Sequence, residues 1–210
     1  MSTPFTLEGT HVRLEPMSTD HVDGLLAAAT GDRSTFDYTV VPEDRASVTH
    51  YVDRALEHAV AGDQVPFATV SLALDRVVGS TRFYELETWD WASAAPGVVL
   101  TPADRTVDRA SIGHTWLDPA VQRSPVNTEA KLLMLDHAFT TWGVRAVRLQ
   151  TDARNARSRV AIARLGCSLD GVLRADKPAS DGTVRDSAVF SILAEEWPAA
   201  RLQLVGRAGG

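Results

Sequence analysis

The chain is poor in cysteine and lysine: Cys167 is its one thiol, and only Lys131 and Lys177 among the 21 basic residues are lysines. A lone thiol excludes an intrachain disulfide, so Cys167 is read as a core filler in a protein kept reduced. The six histidines include no HExxH pair and no paired His/Cys spacing, and no metal site is expected. GxGxxG, P-loop and GxSxG motifs are missing as well, which excludes dinucleotide binding, phosphate-loop chemistry and a standard serine hydrolase elbow. No stretch approaches the ~18 apolar residues of a membrane span, and residues 1–8 lack the basic cluster and apolar core of a secretion signal. The expectation is a soluble, cytoplasmic protein with no membrane partner. Basic clusters are wanting too: the net charge is −6 and the arginines are dispersed, which disfavours nucleic acid, whereas an acidic surface tolerates a cationic amine.

With 44% hydrophobic residues, the chain is long enough to bury about 70% of its unfolded surface, and no break in composition divides it. We read one domain over residues 1–200 and a frayed tail over 201–210. An opening strand covers 7–14, Ser18-Thr19-Asp20 caps a helix to about residue 30, and a second helix spans 45–61 before Gly62-Asp63. Strands over 67–74 and 77–85 flank Asp75-Arg76, and another spans 111–117. Between them, residues 87–108 are long for a strand connection and suit a functional loop, an oligomer interface or a plain surface excursion. Val184, Ala188, Phe190 and Ile192 mark a final strand over 183–193. Helices interrupting a mixed sheet, without internal repeat, make an α/β or α+β sandwich.

The densest information lies at two joints. Gln122-Arg123-Ser124-Pro125-Val126-Asn127 follows the turn pair Asp118-Pro119 and empties into a helix, where Leu132, Leu135, Phe139 and Trp142 recur at helical spacing before Gly143. A helix N-terminus with a loop turning its N–H groups inward seats a pyrophosphate, although Asn127 and Thr128 are also ordinary N-caps. The second joint follows an alternating strand over 146–152: Asp152-Ala153-Arg154-Asn155 opens a short helix that Gly166 closes. There Ser158, Ala161, Ile162 and Leu165 share a face, and a hydroxyl on an inward face needs a partner, a backbone carbonyl included.

Together the joints resemble the GNAT superfamily of N-acetyltransferases, in its branch related to ribosomal-protein N-terminal acetyltransferases. The matching residues are Trp116-Leu117, Gln122, Asn127-Thr128-Glu129-Ala130-Lys131-Leu132-Leu133, His137-Ala138-Phe139, Thr151-Asp152, Asn155, Ser158, Ala161-Ile162, Leu165-Gly166 and Gly171-Val172-Leu173-Arg174. Leu7-Glu8-Gly9 and Val78-Gly79-Ser80-Thr81 agree more loosely. The resemblance implies the GNAT fold, a mixed and mostly antiparallel sheet flanked by helices, with the strand ending near Leu117 splayed from the one starting near Ala146. It implies acetyl-CoA as co-substrate, held by Trp116, Leu117, Gln122, Arg123, Ser124, Val126, Asn127, Thr128, Asn155 and Ser158, with no metal. An amine, on a protein N-terminus, a lysine or a small molecule, attacks the thioester directly. A backbone N–H near Leu117 is the implied oxyanion donor, Asn155 binds the pantetheine amide and Ser158 is the implied acid toward the leaving sulfur, replacing a tyrosine that many relatives carry. A homodimer is a common default.

Two departures stand out. Pro125 and Asn127 occupy places that many relatives give to glycine; proline has no N–H, so Arg123, Ser124 or Asn127 side chains would make up the contact. Ser111 stands where relatives often have a glutamate base, leaving His114 and Glu85 as candidates, directly or through water, unless the amine needs no base. These departures keep open a non-catalytic module that binds CoA or a partner on the same fold.

Overall fold

The computed structural model describes residues 4–90 and 107–208. Eight strands form one sheet in the order β1-β2-β3-β4-β5-β6-β8-β7. They are β1 (Leu7–Glu8), β2 (Val12–Pro16), β3 (Val65–Ser71), β4 (Arg76–Glu87), β5 (Arg109–Leu117), β6 (Ala146–Asp152), β7 (Ser168–Pro178) and β8 (Val184–Leu193). Every pairing is antiparallel except β5 with β6, which run parallel. The helices are α1 (Val22–Ala29), α2 (Arg45–Ala61), α3 (Pro125–Asp136), α4 (Ala156–Ala163) and α5 (Trp197–Ala208).

Two hydrophobic layers cover the sheet. Met17, Leu25, Val48, Val52 and Trp116 gather in the layer of α1 and α2. Phe67, Phe83, Met134, Leu135, Phe190 and Leu204 gather in the layer of α3 and α5. Strand β3 is buried at nearly every position because both faces are covered, the condition that turns an alternating strand pattern into a continuous apolar one.

Local chemistry sets most boundaries. Asp44 caps α2 by accepting the Ser47 N–H at 2.8 Å, and Gly62 ends it in the left-handed region at φ 82°. Several boundaries differ from the sequence expectation. The opening strand is a hairpin, β1 and β2, and β3 stops at Ser71, so the connection to β4 is the turn over 72–75. Helix α3 starts at Pro125, with Ser124 as its N-cap, rather than at Thr128. It runs into a π-helical turn, His137–Thr141, where the Trp142 N–H reaches back to the His137 carbonyl at 3.2 Å.

The expected tail is corrected: residues 201–208 belong to α5. Trp197, Ala200 and Leu204 lie at helical spacing and are buried, Leu204 to 1% exposure, while Trp197 stacks on Phe139 at 5.4 Å. Arg201 adds an ion pair to Asp136 on α3 at 2.8 Å.

The N-terminal hairpin is fastened to α3 by one carboxylate. Glu129, buried on α3, accepts the backbone N–H groups of Thr10 at 2.8 Å, His11 at 2.6 Å and Val12 at 2.9 Å. Gly9 leaves the space: a Cβ there would lie 2.4 Å from the Glu129 carboxyl carbon. Removing the acceptor strands these donors; hydrogen bonds to a charged group are worth ~1.5–3 kcal/mol each net of exchange with water, and water entering the vacated space recovers part of the sum. We expect Glu129→Ala to lower unfolding free energy by about 3 kcal/mol in urea titrations; an unchanged midpoint would refute this role.

Candidate active site

Strands β5 and β6 pair over only four positions, residues 109–112 on 146–149. Beyond Ile112, β5 stays on β4, with Leu117 opposite Gly79, and β6 stays on β8, with Asp152 opposite Ser187. A wedge-shaped gap therefore opens between two strands that begin as neighbours.

The parting coincides with a bulge in β5. Ser80 faces Trp116 and Arg82 faces Gly113, so His114 and Thr115 together oppose Thr81. His114 takes the left-handed conformation at φ 50°, and Glu85 on β4 does so at φ 49° beside a second register shift. Lys131 reaches this bulge from α3, donating to Thr81 Oγ1 at 2.8 Å and Thr115 Oγ1 at 2.7 Å. The two threonine oxygens are themselves 2.8 Å apart. Lys131 is 4% exposed, and burial pushes its pKa down to about 7. At Gly79 the backbone comes so close that a Cβ would lie 2.1 Å from the Trp116 carbonyl oxygen.

At the mouth of the gap stands the N-terminus of α3. Ser124 accepts the Val126 N–H at 3.3 Å and donates to the Val121 carbonyl at 2.6 Å. Pro125 occupies the first helical position, where no intrahelical acceptor exists for an N–H, so proline costs the helix nothing there. Arg123 adopts φ 61°, is exposed and makes no hydrogen bond or ion pair among the described residues. Asn127 is partly exposed, yet its Oδ1 is buried without a partner, an orphaned acceptor in the first turn. Exposed cation, helix terminus and orphaned amide suit the phosphates and amides of a CoA-type ligand.

Gln122 and Ser124 are engaged within the protein. Gln122 Nε2 donates to Thr35 Oγ1 at 2.8 Å and to the Leu117 carbonyl at 3.0 Å. Arg157 on α4 donates to the Thr35 carbonyl at 2.7 Å, so the segment after α1 touches both joints. Across the gap, Asn155 caps α4 by accepting the Ser158 N–H at 3.0 Å. Ser158 is half-buried, whereas Ala161 is exposed, so the inward face of α4 reduces to Ile162 and Leu165. The Trp116 indole packs beside Tyr51 in the α1–α2 layer, and the Val126 side chain is also buried, which leaves backbone as what these two residues offer a ligand. Leu117 is buried and Thr128 half-buried in the first turn of α3.

The proton-handling candidates fall together on the other side of the bulge. Ser111 donates to Glu85 Oε2 at 2.7 Å, so a carboxylate reaches the place of the missing glutamate from the neighbouring strand. The His114 ring sits edge-on to Tyr84 at 5.2 Å. Much of its surface is open to a cavity, but surrounding protein, then the nearby Arg82, Lys177 and His58, push its pKa down to about 4. It is therefore neutral across the physiological range. Tyr84 accepts from Gln150 Nε2 at 2.8 Å, and burial raises its hydroxyl to about 12, keeping it a proton donor. Gly113 makes room for this ring: a Cβ would lie 2.8 Å from Tyr84 Cε1. No hydrogen bond joins Ser158 to His114 or Glu85 among the described residues.

Sequence reasoning missed Tyr84, Arg82, Tyr51, Gln150 and the role of Lys131; a lysine inside an apolar helical stripe was the one available signal. Of the long segment over 87–108, residues 91–106 lie outside the described residues. Among the described residues no helix is long and apolar enough to cross a membrane, and no group of three or more His, Cys, Asp or Glu could hold a metal.

The parallel strands that separate over a helix N-terminus have the splay expected of the GNAT fold. A family model described as Acetyltransferase (GNAT) domain matches residues 11–168, and the chain belongs to that family as an N-acetyltransferase. Among solved structures, the chain is similar to a GCN5-related N-acetyltransferase from Brucella melitensis, at 28% identity and TM-score 0.79, covering 99% of this chain and 86% of that one. It also has the fold of Mycobacterium smegmatis RimJ in complex with CoA-disulfide, at 20% identity and TM-score 0.78, covering 97% and 95% of the two chains. RimL, a ribosomal alpha-N-protein acetyltransferase, shares the fold at 14% identity and TM-score 0.73, covering 91% and 96%. No curated protein matches the sequence.

The buried lysine makes stability depend on pH. An unfolded lysine stays protonated to about pH 10, whereas Lys131 in the fold loses its proton near 7. Between those values the unfolded state holds the extra proton, so this group makes stability rise with pH. Urea midpoints at about pH 6.5, 8 and 9.5 should climb in the wild type and lose that component in Lys131→Met; parallel profiles would sink the assignment.

Proposed function

We propose that the chain acetylates a primary amine, with acetyl-CoA as co-substrate, in the gap between β5 and β6. The observation that carries this reading is the parting of those strands after Ile112 and Leu149, with the N-terminus of α3 on one side and the Asn155–Ser158 cap on the other. Acetyl-CoA, when bound, supplies a thioester carbonyl open to attack by a neutral amine.

The chain's own groups divide the remaining work. Arg123, the Asn127 N–H and the positive end of α3 neutralise phosphate charge. A backbone N–H of β5 near Leu117 donates to charge developing on the carbonyl oxygen. Ser158 offers its hydroxyl to the departing sulfur, and Asn155 offers the amide not used in capping. For the amine proton the candidates are the Glu85 carboxylate, held by Ser111, and the His114 ring, which is neutral near pH 7 and so has a free lone pair. The acceptor reaches this chemistry from the His114 side, where a cavity opens between α2 and β4. A cytoplasmic location fits a donor made inside cells.

Thermal unfolding with acetyl-CoA at about 100 times its dissociation constant should gain roughly 2.7 kcal/mol of stability. No shift would overturn the donor site. With a competent amine, Ser158→Ala should release free CoA on the order of 10²-fold more slowly while its acetyl-CoA shift persists; undiminished turnover would remove Ser158 from the acid role.

A further inference from the structure

The cavity beside His114 has a volume of about 360 Å³ and lies between α2, the chain after α1 and strand β4. That is the scale of a small-molecule site. Its wall includes Arg82, which is 4% exposed and faces Gly113 across the β4–β5 ladder, one residue from the bulge. Arg82 Nη1 donates to Gln64 Oε1 at 2.9 Å, and the guanidinium lies over the Tyr51 ring at 4.8 Å from its centroid. Its Nε and Nη2 are buried and have no partner, and no carboxylate pairs with it among the described residues.

The other arginine on this wall is already engaged: Arg54 pairs with Glu57 at 2.5 Å, while His58 shares a hydrogen bond with Asp63 at 3.1 Å and His50 also lines the wall. Arg82 therefore holds the uncompensated charge, and its field is one of the causes keeping His114 neutral. A buried guanidinium without a counter-ion is unfavourable for the fold, which makes it a group waiting for a ligand rather than a brace. The vacant nitrogens are also specific. Nε and Nη2 form one edge of the guanidinium, with two parallel N–H vectors that match the two oxygens of a planar carboxylate.

We propose that the acceptor is a small amine carrying a carboxylate, with the carboxylate on the Nε–Nη2 edge of Arg82 and the amine directed toward the β5 bulge. This rests on the acetyl-transfer reading and narrows its acceptor to amino-acid-like amines. Both nitrogens are shielded from solvent, so engagement entails a local shift of the cavity wall. A chain N-terminus offers no carboxylate beside its amine unless an acidic side chain follows closely.

Matched pairs separate the carboxylate from the rest of the acceptor: phenylalanine against phenethylamine, leucine against isoamylamine, and β-alanine against phosphoethanolamine. Calorimetric binding in the presence of CoA and kcat/KM for acetylation are both measured, in wild type and Arg82→Gln. The expected result is a preference of about 10²-fold for the carboxylate member, erased in Arg82→Gln. Arg82→Met should unfold at least as high in temperature as the ligand-free wild type, because it removes an unpaired buried charge. Equal binding of each amino acid and its decarboxylated partner overturns the proposal, as does preference for phosphoethanolamine. A strongly destabilised Arg82→Met also overturns it, by making Arg82 a structural brace. Failure of acetyl-CoA itself to bind overturns the acetyl-transfer reading instead, and the binding comparison, repeated without CoA, still decides the role of Arg82.

Discussion

The site depends on the bulge in β5. A regular strand would continue beside β6 with all its side chains in register, and no gap would open. With His114 and Thr115 set against Thr81, β5 turns away after four pairs and keeps its bonds to β4 instead. The cost of that irregularity is met from below by Lys131, whose Nζ ties the threonine on each strand to α3. The same helix supplies the N-terminus at the mouth of the gap. One element thus fixes both the aperture and the electrostatics at its rim.

Around this centre, polar groups are buried where they join elements distant in sequence. Glu129 sits two residues before Lys131 and binds the N-terminal hairpin, so two buried polar side chains of one helix grip opposite parts of the sheet. Apolar packing positions α3 against the sheet without choosing a unique rotation or depth. Directed hydrogen bonds to a hairpin on one side and to a bulge on the other remove that freedom. Small residues accompany them: Gly9 gives Glu129 its room, Gly79 admits the Trp116 backbone, and Gly113 admits the Tyr84 ring.

What could be read from the sequence follows from how local each signal is. Helix α2 was legible because the Gly62-Asp63 stop that ends it is a local feature. The GNAT-like joints were legible because their residues are contiguous. The start of α3 was misplaced since a proline reads as a break, although at the first helical turn it is favourable. Helix α5 was not read from the sequence at all, because Trp197 and Leu204 gain their meaning only against the layer they pack into. Long-range pairings were beyond reach for the same reason: nothing near Ser111 announces Glu85, and nothing near Lys131 announces Thr81 and Thr115.

Thr35 has a bearing on how two ligands would communicate. It is bonded at once to Gln122, ahead of α3, and to Arg157, on α4, while Val40 and Pro42, a few residues along the same segment, form part of the cavity wall beside His114. A molecule entering between the joints has to negotiate with that segment, and so does a molecule entering the cavity. Two ligands that draw on one stretch of chain are thermodynamically linked, and the factor by which the first alters the affinity of the second equals the factor returned. How strongly filling one site would help or hinder the other is thus a property of the loop over residues 30–44 rather than of either site alone.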